Sequence, residues 1–302
     1  MSNFLTIFVM RKLKFSGCRC KFETLYKSAS EVFMDKKYNI MKMDCEERFG
    51  FAAAGMTAAG KFSSLIPGVI LTAAVYGVLS LLKTAFPDND MIKMFFPYGE
   101  ADRTFIPLVT VFFAMWCLAV LQIKKRKLSV QKKLVQELAG CADDDAREMF
   151  IAENVETPSA FAAVELFLLK RRWAKRNISP AELDTLLGSA AAEYEKSSDT
   201  SFIFVSTLIW AVPVLGFIGT VLGLAKAVSK FGLLAAAESQ VSFESVLPQL
   251  TGGLATAFET TLIALVLALI LQIFASCRRQ AEEQFFGSLK TLINSEPQST
   301  DE

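Results

Sequence analysis

Histidine is missing from all 302 residues of the chain. That absence removes a Ser-His-Asp or Cys-His centre, a His-ligated zinc and any histidine proton relay. Cysteine is sparse, at positions 18, 20, 45, 117, 141 and 277, with no CxxC pair and no metal-ligand spacing. Cys18 and Cys20 stand one residue apart, too close for an ordinary chelate turn, so free thiols in a reducing compartment are expected and no metal. Excess charge of either sign is lacking too: 32 Lys and Arg face 31 Asp and Glu, a net charge of +1. Nucleic-acid binding, which calls for a strongly basic face, is therefore not expected. No nucleophile–base pair or phosphate loop is visible, so the reading contains neither an enzyme nor a cofactor. An export signal is not indicated, because Arg11, Lys12 and Lys14 follow the short apolar opening rather than precede it.

What the chain has is apolar length. Hydrophobic residues make up 52% of it and charged residues 21%, and its mean hydropathy is positive. Four runs stand out: Phe62 to about Leu82, Phe105 to Ile123, Phe202 to Ala225, and Gly252 to about Ser276. A bilayer crossing takes about 20 apolar residues, and the rest of the chain is too short to bury four such runs. The expected fold is an all-α integral membrane protein with four transmembrane helices and a helical cytoplasmic insert. Pro67 and Pro107 fall near the starts of the first two spans, where a missing N–H is tolerated.

Basic residues set the orientation, since short flanks rich in Lys and Arg stay on the cytoplasmic side. Lys124-Lys125-Arg126-Lys127 ends the second run and Arg278-Arg279 ends the fourth, so both termini are expected in the cytoplasm. The expected division is a leader at 1–61, a transmembrane hairpin at 62–123, a cytoplasmic helical segment at 124–201, a channel-forming hairpin at 202–277 and a tail at 278–302. Within the cytoplasmic segment one helix is expected over Lys124–Leu138, a second opening at Thr157-Pro158, and a third from Pro180 to about Lys196. The basic run Arg171, Arg172, Lys175 and Arg176 around Trp173 reads as a solvated or headgroup-facing helix side, or as a docking surface for a cytoplasmic protein.

The third and fourth runs carry the chemistry. Residues 213–224 read Pro-Val-Leu-Gly-Phe-Ile-Gly-Thr-Val-Leu-Gly-Leu. Glycine and proline specify a helix poorly in water, but in lipid small residues let helices approach closely. Gly216, Gly219 and Gly223 share nearly one face with Pro213 and Thr220. In the fourth run Gly253, Ala257, Thr260 or Thr261, Ala264 and Ala268 make a similar stripe. At 1.5 Å per residue Thr220 lies roughly 28 Å from Ser201, and Thr261 roughly 25 Å from Arg278, so the two hydroxyls come out level in an antiparallel pair. Such threonines often only bond their own helix backbone; two at matched depth point to a shared polar lining. Glu259 is the single carboxylate in the apolar part of these runs. An ionisable group there is a functional candidate, as an ion-attracting or intersubunit group, unless the span starts late and Glu259 sits near the outer interface. It points about 200° away from Thr261.

These two stretches resemble the MotA/TolQ/ExbB proton channel family. Pro213 to Gly223, with Gly219-Thr220-Val221, is similar to the family's glycine-rich span. Ala257-Phe-Glu-Thr-Thr-Leu-Ile-Ala-Leu265 is similar to its final-span signature, which places Thr261 at the family's pore threonine. Four spans with a cytoplasmic insert resemble the MotA-like arrangement. Ala264 stands where the family usually has glycine, Leu262 where it has alanine, and Thr256 where ExbB-like members carry a glutamate. The resemblance implies a homopentamer around single-span partner helices of the MotB/ExbD/TolR type, which bring an intramembrane aspartate. It implies a stator or energiser subunit that couples a proton or sodium motive force to work, with Pro213, Gly216, Thr220, Gly223, Thr260 and Thr261 lining the path. The alternative is a non-conducting membrane scaffold ring that only assembles partners.

Overall fold

A computed structural model describes residues 56–87, 89–96, 104–141, 144–176, 178–236 and 243–294, and no strand occurs among them. Most of the expected leader, residues 97–103 and 237–242 of the loops expected outside, and the end of the expected tail lie outside the described residues. The helices are α1 (Lys61–Ala85), α2 (Asp90–Lys93), α3 (Ile106–Ala139), α4 (Asp144–Asn154), α5 (Ala162–Ala174), α6 (Pro180–Ala236) and α7 (Phe243–Asn294). Of these, α1, α3, α6 and α7 are long and apolar enough to cross a membrane. The chain is an all-α, multi-pass membrane protein.

Three helices overrun the spans expected of them. The basic cluster after Ile123 does not end α3, because Lys and Arg are good helix formers; the helix runs on to its C-cap at Gly140. The third cytoplasmic helix does not stop near Lys196 but continues as α6 for 57 residues. The polar run 196–201 stays helical because its side chains find partners beside the helix. Ser198 Oγ donates to Glu282 Oε2 of α7 at 2.5 Å, and Arg279 Nη2 of α7 donates to Asp199 Oδ1 at 3.2 Å. Helix α7 likewise passes Arg278-Arg279 and reaches Asn294.

Prolines account for two further differences. Pro67 is not at the start of α1 but inside it, so the Ser63 carbonyl loses its helical donor. The second cytoplasmic helix does not open at Pro158: Pro158–Ala160 forms a 3-10 turn, Phe161 is extended, and α5 begins at Ala162. Pro107 does occupy the first turn of α3. Helix α4 was not expected. Asp144 and Asp145 lie in its first turn, where carboxylates complement the helix dipole.

Helix α3 lies between α1 and the α6–α7 pair. Its Val111, Ala114, Cys117 and Val120 pack on Val205, Leu208 and Val212 of α6 and on Ala264, Ala268 and Leu271 of α7. On its other side, Gly68 of α1 lets the Trp116 backbone approach: a Cβ there would sit 3.0 Å from Trp116 Cα. Trp116 Nε1 donates to Ser64 Oγ at 3.0 Å. Phe62, Ile70 and Leu81 of α1 stay exposed, as suits a helix facing lipid. In the insert, Arg171 of α5 pairs with Asp145 and Glu148 of α4, and Trp173 packs on the Leu166, Leu187 and Ala191 cluster. Part of the basic run therefore joins helices; Arg172, Lys175 and Arg176 remain exposed.

Candidate functional site

The most extensive helix pairing in the molecule is α6 on α7, and small residues make it. A Cβ added at Gly216 would come within 2.5 Å of Ala264 Cβ, and one at Gly223 within 2.8 Å of both Ala257 Cβ and the Gly253 carbonyl. One at Gly219 would run into Thr260 Oγ1, and one at Gly253 would lie 3.2 Å from Ala227 Cβ. Contacts that pair rising numbers on α6 with falling numbers on α7 mean that the helices run antiparallel. Each methyl on one side of the seam faces a missing side chain on the other. This explains the alanine at 264: the room that a glycine there would leave is already supplied by Gly216.

Thr220 and Thr261 flank this seam. At 100° per residue, Thr220 turns roughly 70° from the mean direction of Gly216, Gly219 and Gly223. Thr261 turns by about the same angle, in the same sense, from Ala257, Thr260 and Ala264. Equal rotations on two antiparallel helices go to the same side of the pair. Pro213 turns to that side as well. The register that sets Gly219 on Thr260 leaves the two threonines within about one helical turn of each other in depth.

That side is the uncovered one. On the opposite side Leu208, Thr256 and Ile263 are buried, and Phe204 meets the Trp116 ring of α3 at 5.5 Å between centroids. On the threonine side Ser206, Phe217, Leu224, Phe258 and Leu265 are exposed. Thr220 and Thr261 are half-buried there, while Thr260 is buried in the seam with Gly216 and Gly223. Glu259 is half-buried and turns to the far side, away from Thr261.

Each threonine hydroxyl gives its proton to its own helix: Thr220 Oγ1 to the Phe217 carbonyl at 2.6 Å, and Thr260 and Thr261 to the Ala257 carbonyl at 2.9 and 3.0 Å. A hydroxyl that has donated its proton still has lone pairs with which to accept. On the open face Thr220 and Thr261 thus present acceptor oxygens, which suit a cation or a protonated acid and repel an anion.

Sequence reasoning missed a buried charge pair at the insert-side ends of the helices. Lys124 Nζ lies 3.2 Å from Glu282 Oε2, with the side chains 1% and 2% exposed. Lys124 also donates to Ser201 Oγ at 2.6 Å and sits 4.1 Å from the Phe202 ring centroid. Lys127 donates to the Ala58 carbonyl at 2.6 Å. These lysines belong to the cluster read as the cytoplasmic end of the second run. Their direction could have been found from spacing, since Lys124, Lys127, Leu128 and Gln131 fall on the buried stripe of α3.

Residues 151–288 match the sequence model of the MotA/TolQ/ExbB proton channel family. That match takes in the insert helices from Ile151, the whole α6–α7 seam and Glu282. No curated protein and no solved structure matches the chain.

Proposed function

We propose, for a chain that belongs through residues 151–288 to the MotA/TolQ/ExbB proton channel family, that the open α6–α7 face is one wall of an ion path. The family makes the chain an ion-channel-type energiser; the finer reading is ours. Several copies, five by family resemblance, place this face around single-span partner helices that carry an intramembrane aspartate. Protonation, or sodium binding, neutralises that carboxylate, a charge otherwise costly in lipid. The Thr220 and Thr261 oxygens accept from the neutral acid or from the cation, and release lets the partner step against the ring. The ring sits in a bacterial inner membrane with both termini inside.

One observation carries this reading: Thr220 and Thr261 are level, on the same side of the seam, and on the face that α3 leaves bare. The decisive experiment is ion flux in vesicles that hold the chain with its single-span partner. Thr220→Val and Thr261→Val keep shape and remove the acceptor, so each abolishes flux while the oligomer still assembles. Normal flux in both variants would favour the scaffold ring instead.

A further inference from the structure

The threonine face does not end at the threonines. Seven residues return a helix to nearly the same direction, with a drift of about 20°. Stepping inward from Thr220 by sevens gives Pro213, Ser206 and Asp199 on α6. Stepping inward on α7 by the same interval from Leu265 gives Gln272 and Arg279. The two columns meet at their inner ends, where Arg279 Nη2 lies 3.2 Å from Asp199 Oδ1. Ser206, Gln272, Asp199 and Arg279 are all exposed. Asp199, Ser206 and Arg279, with Lys196, line an open groove of about 590 Å³. Just outward of Gln272 the exposed positions of α7 are apolar, among them Leu265, Leu269 and Ile270, and Ser276 is exposed one turn inward. A lone amide facing hydrocarbon would be costly. A hydrated lane explains its place level with Ser206 of the facing column.

We propose that Ser206 and Gln272 form the inner half of the ion path and that the Asp199–Arg279 pair is its cytoplasmic mouth. This rests on the transport reading above. The mouth is tuned by charge: Arg279 offsets Asp199 and, through its 3.1 Å contact, Glu283, while Lys196 stands on the same rim. Less cationic charge at such a rim raises the local cation concentration, and less anionic charge lowers it.

The two members of the pair therefore act with opposite signs. Flux is measured in membrane vesicles containing the chain and its single-span partner, with a pH step or a sodium step as the driving gradient. Ser206→Leu and Gln272→Leu insert apolar bulk that lipid tolerates, and each lowers flux by about tenfold or more by drying the lane. At low ionic strength Asp199→Asn lowers flux and Arg279→Gln raises it, each by about twofold, and high salt erases both differences. A pair that only braces the helices would instead give losses in both variants, insensitive to salt, and that result overturns the mouth. Hydration is read separately, in a background with the six native cysteines replaced. Ser206→Cys and Gln272→Cys react with a membrane-impermeant maleimide from the cytoplasmic side, and Leu269→Cys does not. Equal protection of all three overturns the lane. Wild-type vesicles without flux overturn the transport reading itself, whereas flux that is lost in Thr220→Val yet unchanged in Ser206→Leu and Gln272→Leu overturns the lane alone.

Discussion

At the scale of single residues the molecule separates two kinds of polar group within its long helices. Lys124 and Glu282 are shut away together, and breaking such a pair leaves an uncompensated buried charge. Glu282→Ala is expected to destabilise the protein by about 3–5 kcal/mol, measured as thermal unfolding in detergent. Lys124→Met combined with Glu282→Leu should recover most of that loss, because apolar residues of similar volume often replace a buried pair without penalty. Full stability in Glu282→Ala would mean that the pair does not hold the inner ends together. Glu259 is the other kind, half-buried and turned from the threonine face. If it draws ions toward an entry, Glu259→Gln lowers flux mainly at low ionic strength, where surface charges are least screened. Loss of flux at every salt concentration would make it the transferring acid, and no change at any salt would leave it as a residue of the outer interface.

At the scale of elements the α6–α7 seam is the sensitive joint. Its glycines are present because the facing helix has atoms where their Cβ would be, not because any unusual backbone angle requires them. Gly219→Val forces a branched side chain onto Thr260, and overpacking of this kind costs about 1–3 kcal/mol. Because the open threonines flank this seam, the same variant should disturb flux as well as stability. Size-exclusion profiles and unfolding curves check the first effect and vesicle flux the second. Unaltered behaviour in Gly219→Val would mean that the helices are not in this register. Pro213 belongs to the same scale. It removes one rung from α6, yet α6 continues through it, as neighbouring helices allow within a membrane.

For the whole molecule the expectation is topological. With both termini and the insert in the cytoplasm, a cysteine at Asn89 or Ser239 is labelled from the outer face and one at Ser159 is not. Labelling of Ser159 from outside would sink the arrangement. Asn89 follows α1, and Ser159 lies in the 3-10 turn between α4 and α5, so both substitutions avoid helix interiors; Ser239 lies outside the described residues. Helices α3 and α6 continue past their apolar runs into the insert without a joint. The threonine face and the α5 contacts at Leu187 and Ala191 thus lie on one continuous helix, α6.

The sequence alone determined what depends on composition along the chain: four apolar runs, the glycine and alanine stripes, and the level of Thr220 with Thr261. These follow from hydrophobic length and from a constant rise per residue, and neither needs a partner helix to be known. It did not determine where the helices end, since Lys and Arg continue a helix as readily as leucine does, and whether Ser198 and Asp199 break α6 depends on Glu282 and Arg279, 84 and 80 residues away. Nor could helical spacing by itself separate Thr260 from Thr261. Adjacent in sequence and alike in chemistry, they differ by 100° of rotation, and only the position of α6 puts one under Gly219 and leaves the other on the open face. The partner of Lys124 was decided the same way. A lysine after an apolar run reads as a headgroup anchor until the fold brings a carboxylate to within 3.2 Å of it.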